Sequence, residues 1–166
     1  MTTISIPDSS CVVLIGVSGS GKSTFARKHF LPTEAVSSDF CRALVADSES
    51  DLSATKDAFE VLHLIAAKRL ASGRLTVIDA TNVQAEARRP LVALAHQYYC
   101  LPIAIVFNLP ERLYQARNKT RPDRDFGAHV IRRQGADLRR SLHGLQREGF
   151  DEQRQFHRER VPEQWW

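Results

Sequence analysis

Apolar residues in this chain fall into short continuous runs that alternate with longer stretches of helical spacing. Val12 to Ile15 is one such run, closed by a glycine-rich segment, and it predicts a buried strand. Lys22 to Phe30 then reads as a helix stopped ahead of Pro32. Ala35 to Asp39 reads as a short second strand that ends in polar residues. From Leu52 to Leu70 the apolar positions Ala58, Val61, Leu62, Ile65, Ala66 and Leu70 share one helix face, and Gly73 is a helix-ending residue. Leu75 to Ile78 predicts a third strand ending at Asp79. Ala85 to Tyr99 predicts a helix with Pro90 early in it or kinking it, and Pro102 to Phe107 a fourth strand. Helices over Pro110–Lys119 and Ala128–Arg147 follow, the last closed by Gly149.

Apolar strands alternating with helices imply an α/β fold: a parallel sheet of four to five strands with helices on both faces. A fifth strand is expected after Phe150, yet Asp151 to Arg160 is too polar to read as a buried one. The expected organisation is a single domain over residues 1–166, with a core of about 11–150 and a C-terminal tail at 151–166. No repeat or low-complexity linker is visible.

Composition narrows the class. Hydrophobic residues make up 43% of the 166 and charged residues 25%, which excludes disordered and collagen-like chains. No apolar run is long enough to span a bilayer, and residues 1–10 do not read as a signal peptide. Cys11, Cys41 and Cys100 are odd in number and widely spaced, the pattern of reduced thiols, so the expected location is cytoplasmic. The six histidines show no metal-ligand spacing and read as structural or surface residues.

Charge changes the picture more. Residues 1–83 hold 8 Lys+Arg against 9 Asp+Glu, whereas residues 84–166 hold 15 against 10. Between Arg112 and Arg147 there are 10 basic and 3 acidic residues, and arginine, suited to bidentate phosphate contact, supplies 18 of the 23 cations. Such a stripe fits a polyanionic partner; it also fits a solvated helical face balanced elsewhere.

Gly16-Val17-Ser18-Gly19-Ser20-Gly21-Lys22-Ser23 matches G-x-x-x-x-G-K-[ST] at every fixed position, with Thr24 next. It follows a strand and opens a helix, the context this motif requires. Its glycines let backbone N–H groups close around phosphates, and the helix N-terminus adds its positive end. Lys22 is expected at the β- and γ-phosphates and the Ser23 hydroxyl on Mg²⁺. The loop alone leaves ATPase, GTPase switch and kinase open.

The acceptor side is sought at Ser37-Ser38-Asp39-Phe40-Cys41-Arg42, at the carboxyl end of the second strand, where open α/β sheets bind ligands. There a carboxylate can accept a proton from an attacking hydroxyl, and an arginine one turn later can hold an anionic acceptor. An N-cap aspartate with a surface arginine gives the same pattern. Asp79 ends the third strand in the position of an acid that holds Mg²⁺-bound water or braces Ser23; capping of the next helix by Asp79, Thr81 and Asn82 is the alternative.

GxSGSGKST followed by SSDFCR, LTVIDATN, VFNLPE, an Arg-rich helix and Gln146–Phe150 resembles the 5′-hydroxyl polynucleotide kinase domain of the bacterial polynucleotide kinase-phosphatase family, over about Val12 to Phe150. That resemblance implies a P-loop kinase fold with an Arg-rich helical lid, and transfer of the γ-phosphate of ATP or another NTP to 5′-OH ends of RNA or DNA. It implies that Asp39 is the general base and that Arg42 contacts the acceptor phosphate. It implies lid arginines at the donor phosphates, matched here by Arg117, Arg121 and Arg124. Arg117 and Arg121 are four apart and share a helix face; Pro122 then breaks the helix ahead of Arg124.

In that family the kinase sits beside phosphatase and ligase domains, of which this chain shows neither. A free-standing kinase or an excised domain of a nucleic-acid repair system is expected. Trp165 and Trp166 suit stacking on bases or packing. Two rival functions remain: a kinase of a nucleoside or sugar, and a nucleic-acid-binding module that holds ATP without transfer.

Overall fold

A computed structural model of the chain describes residues 4–120 and 127–156. Its sheet is built from β1 (Ser10–Gly16), β2 (Ala35–Ser37), β3 (Thr76–Asp79), β4 (Leu101–Phe107) and β5 (Glu152–Phe156). The order is β2-β3-β1-β4-β5 and every pairing is parallel.

Strand β1 is buried along its whole length, and its alternate side chains feed two separate cores. Cys11, Val13 and Ile15 face one core. There they meet α3 (Thr55–Ala71) through Ala58, Leu62 and Ala66, α4 (Ala85–Gln97) through Leu91 and Ala95, and α6 (Ala128–Gly144) through Ile131 and Leu138. Val12 and Leu14 face the other, with Phe25 and Ala26 of α1 (Lys22–His29) and Phe107. Helices cover both faces, which is why β1 and β4 read as continuous apolar runs rather than alternating ones.

The fifth strand does form, against the expectation from its polarity. Asp151 N–H donates to the Pro102 carbonyl at 2.9 Å, and Ile103 to Phe107 pair in register with Glu152 to Phe156. β5 lies at the sheet edge, so a backbone ladder on one side and the buried Phe150 just before it hold it without an apolar run. The second strand is shorter than predicted. It stops at Ser37, whose side chain accepts from Phe40 N–H and caps α2 (Ser38–Ala46). The predicted 52–70 helix divides into a 3₁₀ turn, Leu52–Ala54, and α3. Pro90 is the sixth residue of α4 and does not end it. Helix α5 spans Glu111–Lys119, and α6 passes into a 3₁₀ turn at Leu145–Arg147.

A buried ion pair ties the two ends of this scaffold together. Arg88 is fully buried and donates from two nitrogens to Glu148, at 2.7 and 2.5 Å. Its Nη1 donates to the Asn82 carbonyl at 2.7 Å, and Asn82 Nδ2 reaches back to the Leu14 carbonyl at 2.8 Å. Thus α4, the segment leading to β5 and the turn after β3 are locked to the central strand. No helix among the described residues is long and apolar enough to cross a membrane.

Candidate active site

Strand β1 ends at Gly16 and α1 begins at Lys22, so the loop between them sits at the carboxyl edge of the sheet. Gly21 precedes α1 at φ 97° and Gly19 lies at φ 84°, conformations that side-chain-bearing residues rarely adopt. At Gly19 a Cβ would also stand 2.7 Å from Asn118 Nδ2 and 3.0 Å from the Tyr114 carbonyl. The loop is therefore closed tightly by α5. Lys22 Nζ folds along it, donating to the Gly16 carbonyl at 2.8 Å and the Val17 carbonyl at 3.1 Å. Gly16, Ser18, Gly19 and Ser20 are buried, Ser23 is partly buried, and Thr24 is exposed on α1.

Asp39 falls in the first turn of α2 and Arg42 one turn on. Arg42 Nη1 donates to Asp39 Oδ1 at 2.9 Å and to the Glu49 carbonyl at 2.8 Å. The guanidinium is 7% exposed and the carboxylate 22%, so this pair is not the loose surface arrangement that the spacing also allowed. Arg42 Nε is buried with no hydrogen-bond partner among the described residues, and the Arg42 side chain lines a cavity. That cavity, of about 310 Å³, brings together Lys22, Ser23, Asp39, Arg42 and Asp79.

Asp79 closes β3 as expected, buried, beside Ser23 and Asp39. The alternative of helix capping fails: the N-cap of α4 is Gln84, and no side chain caps it. Asn82 instead takes a positive φ of 48° and bonds to Leu14. The Ser23 hydroxyl and the Asp79 carboxylate are hard oxygen donors, which fits Mg²⁺ held by few protein ligands together with phosphate oxygens.

Arg117 Nη1 lies 3.5 Å from the Gly19 carbonyl, bringing the expected lid arginine to the loop. Arg121 and Arg124 lie outside the described residues, as do Trp165 and Trp166.

Two loop-holding residues escape a sequence reading. Asn118 Nδ2 donates to the Ser18 carbonyl at 2.6 Å and the Tyr114 carbonyl at 2.8 Å. Gln134 Oε1 on α6 accepts from Ser18 N–H at 2.9 Å. Both partners are about a hundred residues away in the chain, and the only local signal is that each sits one turn from an inward-facing residue, Tyr114 or Val130.

The AAA_33 family, described as an AAA domain, matches residues 11–145. The chain belongs to this family. Solved structures agree on the architecture of this AAA domain. A chain of the Pnkp1/Rnl/Hen1 RNA repair complex superimposes with a TM-score of 0.70 at 21% identity, over 86% of this chain and 47% of that one. This AAA domain chain thus spans about half the length of that relative. A sugar kinase from a Janibacter species gives a TM-score of 0.61 at 21% identity, covering 94% of this chain and 89% of that one. A gluconokinase from Sinorhizobium meliloti gives 0.58 at 17%, covering 94% and 86%. No curated protein sequence matches. At these identities the likeness is one of fold, the P-loop kinase fold, and with it goes nucleotide binding at the loop.

Proposed function

We propose that the protein is an ATP-dependent kinase of polynucleotide 5′-hydroxyl ends. The observation that carries the reading is the Asp39–Arg42 pair, its arginine buried and its carboxylate partly exposed, set across one small cavity from Lys22 and Ser23. A switch GTPase or a plain ATPase activates water; a carboxylate paired with an arginine beside the phosphate loop suits an alcohol flanked by an anion. The polynucleotide part of the reading is supported by the arginine-rich second half and by the likeness to a chain of an RNA repair complex.

In this reading the backbone N–H groups of Gly19 and of Gly21 to Thr24 cradle the triphosphate, and Lys22 swings from the loop carbonyls to its β- and γ-oxygens. Asp39 accepts the proton of the 5′-hydroxyl as its oxygen bonds to the γ-phosphorus and the bridging oxygen leaves with ADP. Arg42 holds the carboxylate in place and offers its Nε to the acceptor phosphate. Arg117, with Arg121 and Arg124 as further lid arginines, offsets charge on the transferring group, an effect worth on the order of 10³–10⁵ in rate in related sites. Ser23 and, through water, Asp79 would hold Mg²⁺, which would supply charge neutralisation to the phosphates. Phosphatase and ligase functions of an end-repair system are the partners this activity calls for.

A second reading is a small-molecule kinase, favoured by near full-length likeness to the sugar kinase and the gluconokinase. Transfer from ATP to a 5′-OH oligonucleotide, a free nucleoside and gluconate separates the two. The oligonucleotide is expected to be the preferred acceptor by kcat/KM. Preference for either small molecule replaces the polynucleotide assignment.

A further inference from the structure

Two further cavities among the described residues lie near the candidate active-site pocket, and they differ in what they offer to a phosphate chain. One, of about 590 Å³, opens past Asp39 toward Phe30, Leu31, Pro32 and Phe40, with Glu49 and, among the described residues, a single cation, Arg27. The other, of about 610 Å³, is a groove between the start of α4 and α6. It lies next along the same two elements. Thr81 lines the catalytic pocket and Val83 to Ala85 line the groove; Val130 and Gln134 of α6 line the pocket, and Arg133, Asp137 and Arg140 line the groove.

Two of the three acids lining this groove among the described residues are already matched. Glu148 is bound by Arg88, and Asp137 accepts from Gln84 Nε2 at 3.1 Å and from Arg140. Arg140 is nevertheless 73% exposed, and Arg133 is exposed with no ion pair among the described residues. Exposed Arg132 and Arg139 flank them on the same helix. Glu86, exposed at the opposite rim, is the one acid there without a bound cation among the described residues. The first turn of α4 adds its uncapped N–H groups at the same rim.

We infer that this α4–α6 groove carries the acceptor strand away from the active site, with Arg133 and Arg140 neutralising its backbone phosphates. This rests on the polynucleotide reading and deepens it, because it makes the acceptor a single strand several nucleotides long. Seven residues of α helix separate the two arginines, about 10 Å of rise, against about 3.4 Å per nucleotide of stacked strand. The groove therefore spans about three nucleotides beyond the one that meets Asp39. A phosphate chain leaving by the other cavity would meet an apolar shelf and one cation, Arg27, offset by Glu49. Phosphate contacts of this kind set register and affinity and read no sequence.

The test compares a 5′-OH dinucleotide with a 5′-OH 12-mer, in kinase assays and in fluorescence-anisotropy binding across a salt series. The variants are Arg133→Ala/Arg140→Ala, the matching double Lys variant, and Arg74→Ala as an exposed cation at the opposite edge of the sheet. The double Ala variant should raise KM for the 12-mer on the order of tenfold and leave the dinucleotide within about twofold. The slope of log affinity against log salt should flatten by about 0.7 for each contact removed, about 1.4 in all. The double Lys variant should restore most of that slope, and Arg74→Ala should match the parent. A 12-mer that is bound and phosphorylated with an unchanged slope in the double Ala variant overturns the groove alone. Failure of every oligonucleotide to bind or accept phosphate overturns the polynucleotide reading, and the groove with it.

Discussion

Helix α2 and the segment after it face the P-loop from one side, and α5 and α6 face it from the other. The first wall holds the partly buried Asp39–Arg42 pair; around it, Phe40, Leu44 and Leu52 are exposed, and residues 47–60 carry five acids against Lys56. The second wall presents Arg132, Arg133, Arg139 and Arg140 outward on α6, while Asn118 and Gln134 reach inward to Ser18. One wall therefore suits the reacting hydroxyl, and the other suits holding phosphate groups. On the proposed reading, separation of this kind would let the grip on the acceptor vary without disturbing the base.

The comparison breaks first at Asp39. Asp39→Asn keeps the size and the helix cap environment but removes the proton acceptor. It should lower kcat by about 10²–10⁴ with every acceptor, long or short, while ATP binding by fluorescence titration stays within about twofold. A loss confined to long acceptors would move the base off this wall.

Arg88→Met tests whether the two walls share one foundation. Removing one partner leaves Glu148 buried without its cation, and such breaks cost about 3–5 kcal/mol. Urea unfolding should register that loss. Little change would mean that β5 and the turn after β3 are held by packing alone.

Asn118→Ala removes the side-chain donor from the Ser18 carbonyl, while the Tyr114 carbonyl keeps its helical partner. About 1–3 kcal/mol is expected, part as lower thermal stability and part as a higher KM for ATP, because the loop it braces is the phosphate cradle. An unchanged KM for ATP would separate α5 from the loop's function.

The smallest effect belongs to neither wall. Burial, and secondarily the neighbouring Cys100, pushes the Cys11 thiol up to about 12. Above the ordinary thiol value near 9 the unfolded chain loses this proton while the folded chain keeps it, so the native state binds more protons there. Stability is full below pH 9 and falls as pH rises from 9 toward 12. Cys11→Val should flatten that decline and leave midpoints below pH 8 nearly unchanged; an identical alkaline slope would assign it to other groups.

Much of the site is legible without coordinates because its parts are local. Gly16 to Ser23 is a contiguous strand–turn–helix signal, and Asp39 and Arg42 are one helical turn apart, so the ion pair follows from spacing once Ser37 caps α2. The polarity of 152–155, by contrast, misleads about β5, since an edge strand is held by a backbone ladder that leaves no apolar trace in the sequence. Asp79 is ambiguous for a similar reason: whether it caps a helix or faces the loop depends on how the chain turns at Asn82.

By itself, then, the sequence determines the order of elements, the phosphate loop and the uneven charge, because these arise from neighbours within a few residues. Only the tertiary structure decides that Asn118 and Gln134 close on Ser18, that Arg88 joins Glu148, and that Arg133 and Arg140 share a groove with the start of α4. Each joins segments roughly fifty or more residues apart, and no local preference encodes such a meeting; packing of the helices on one face of a parallel sheet brings them together.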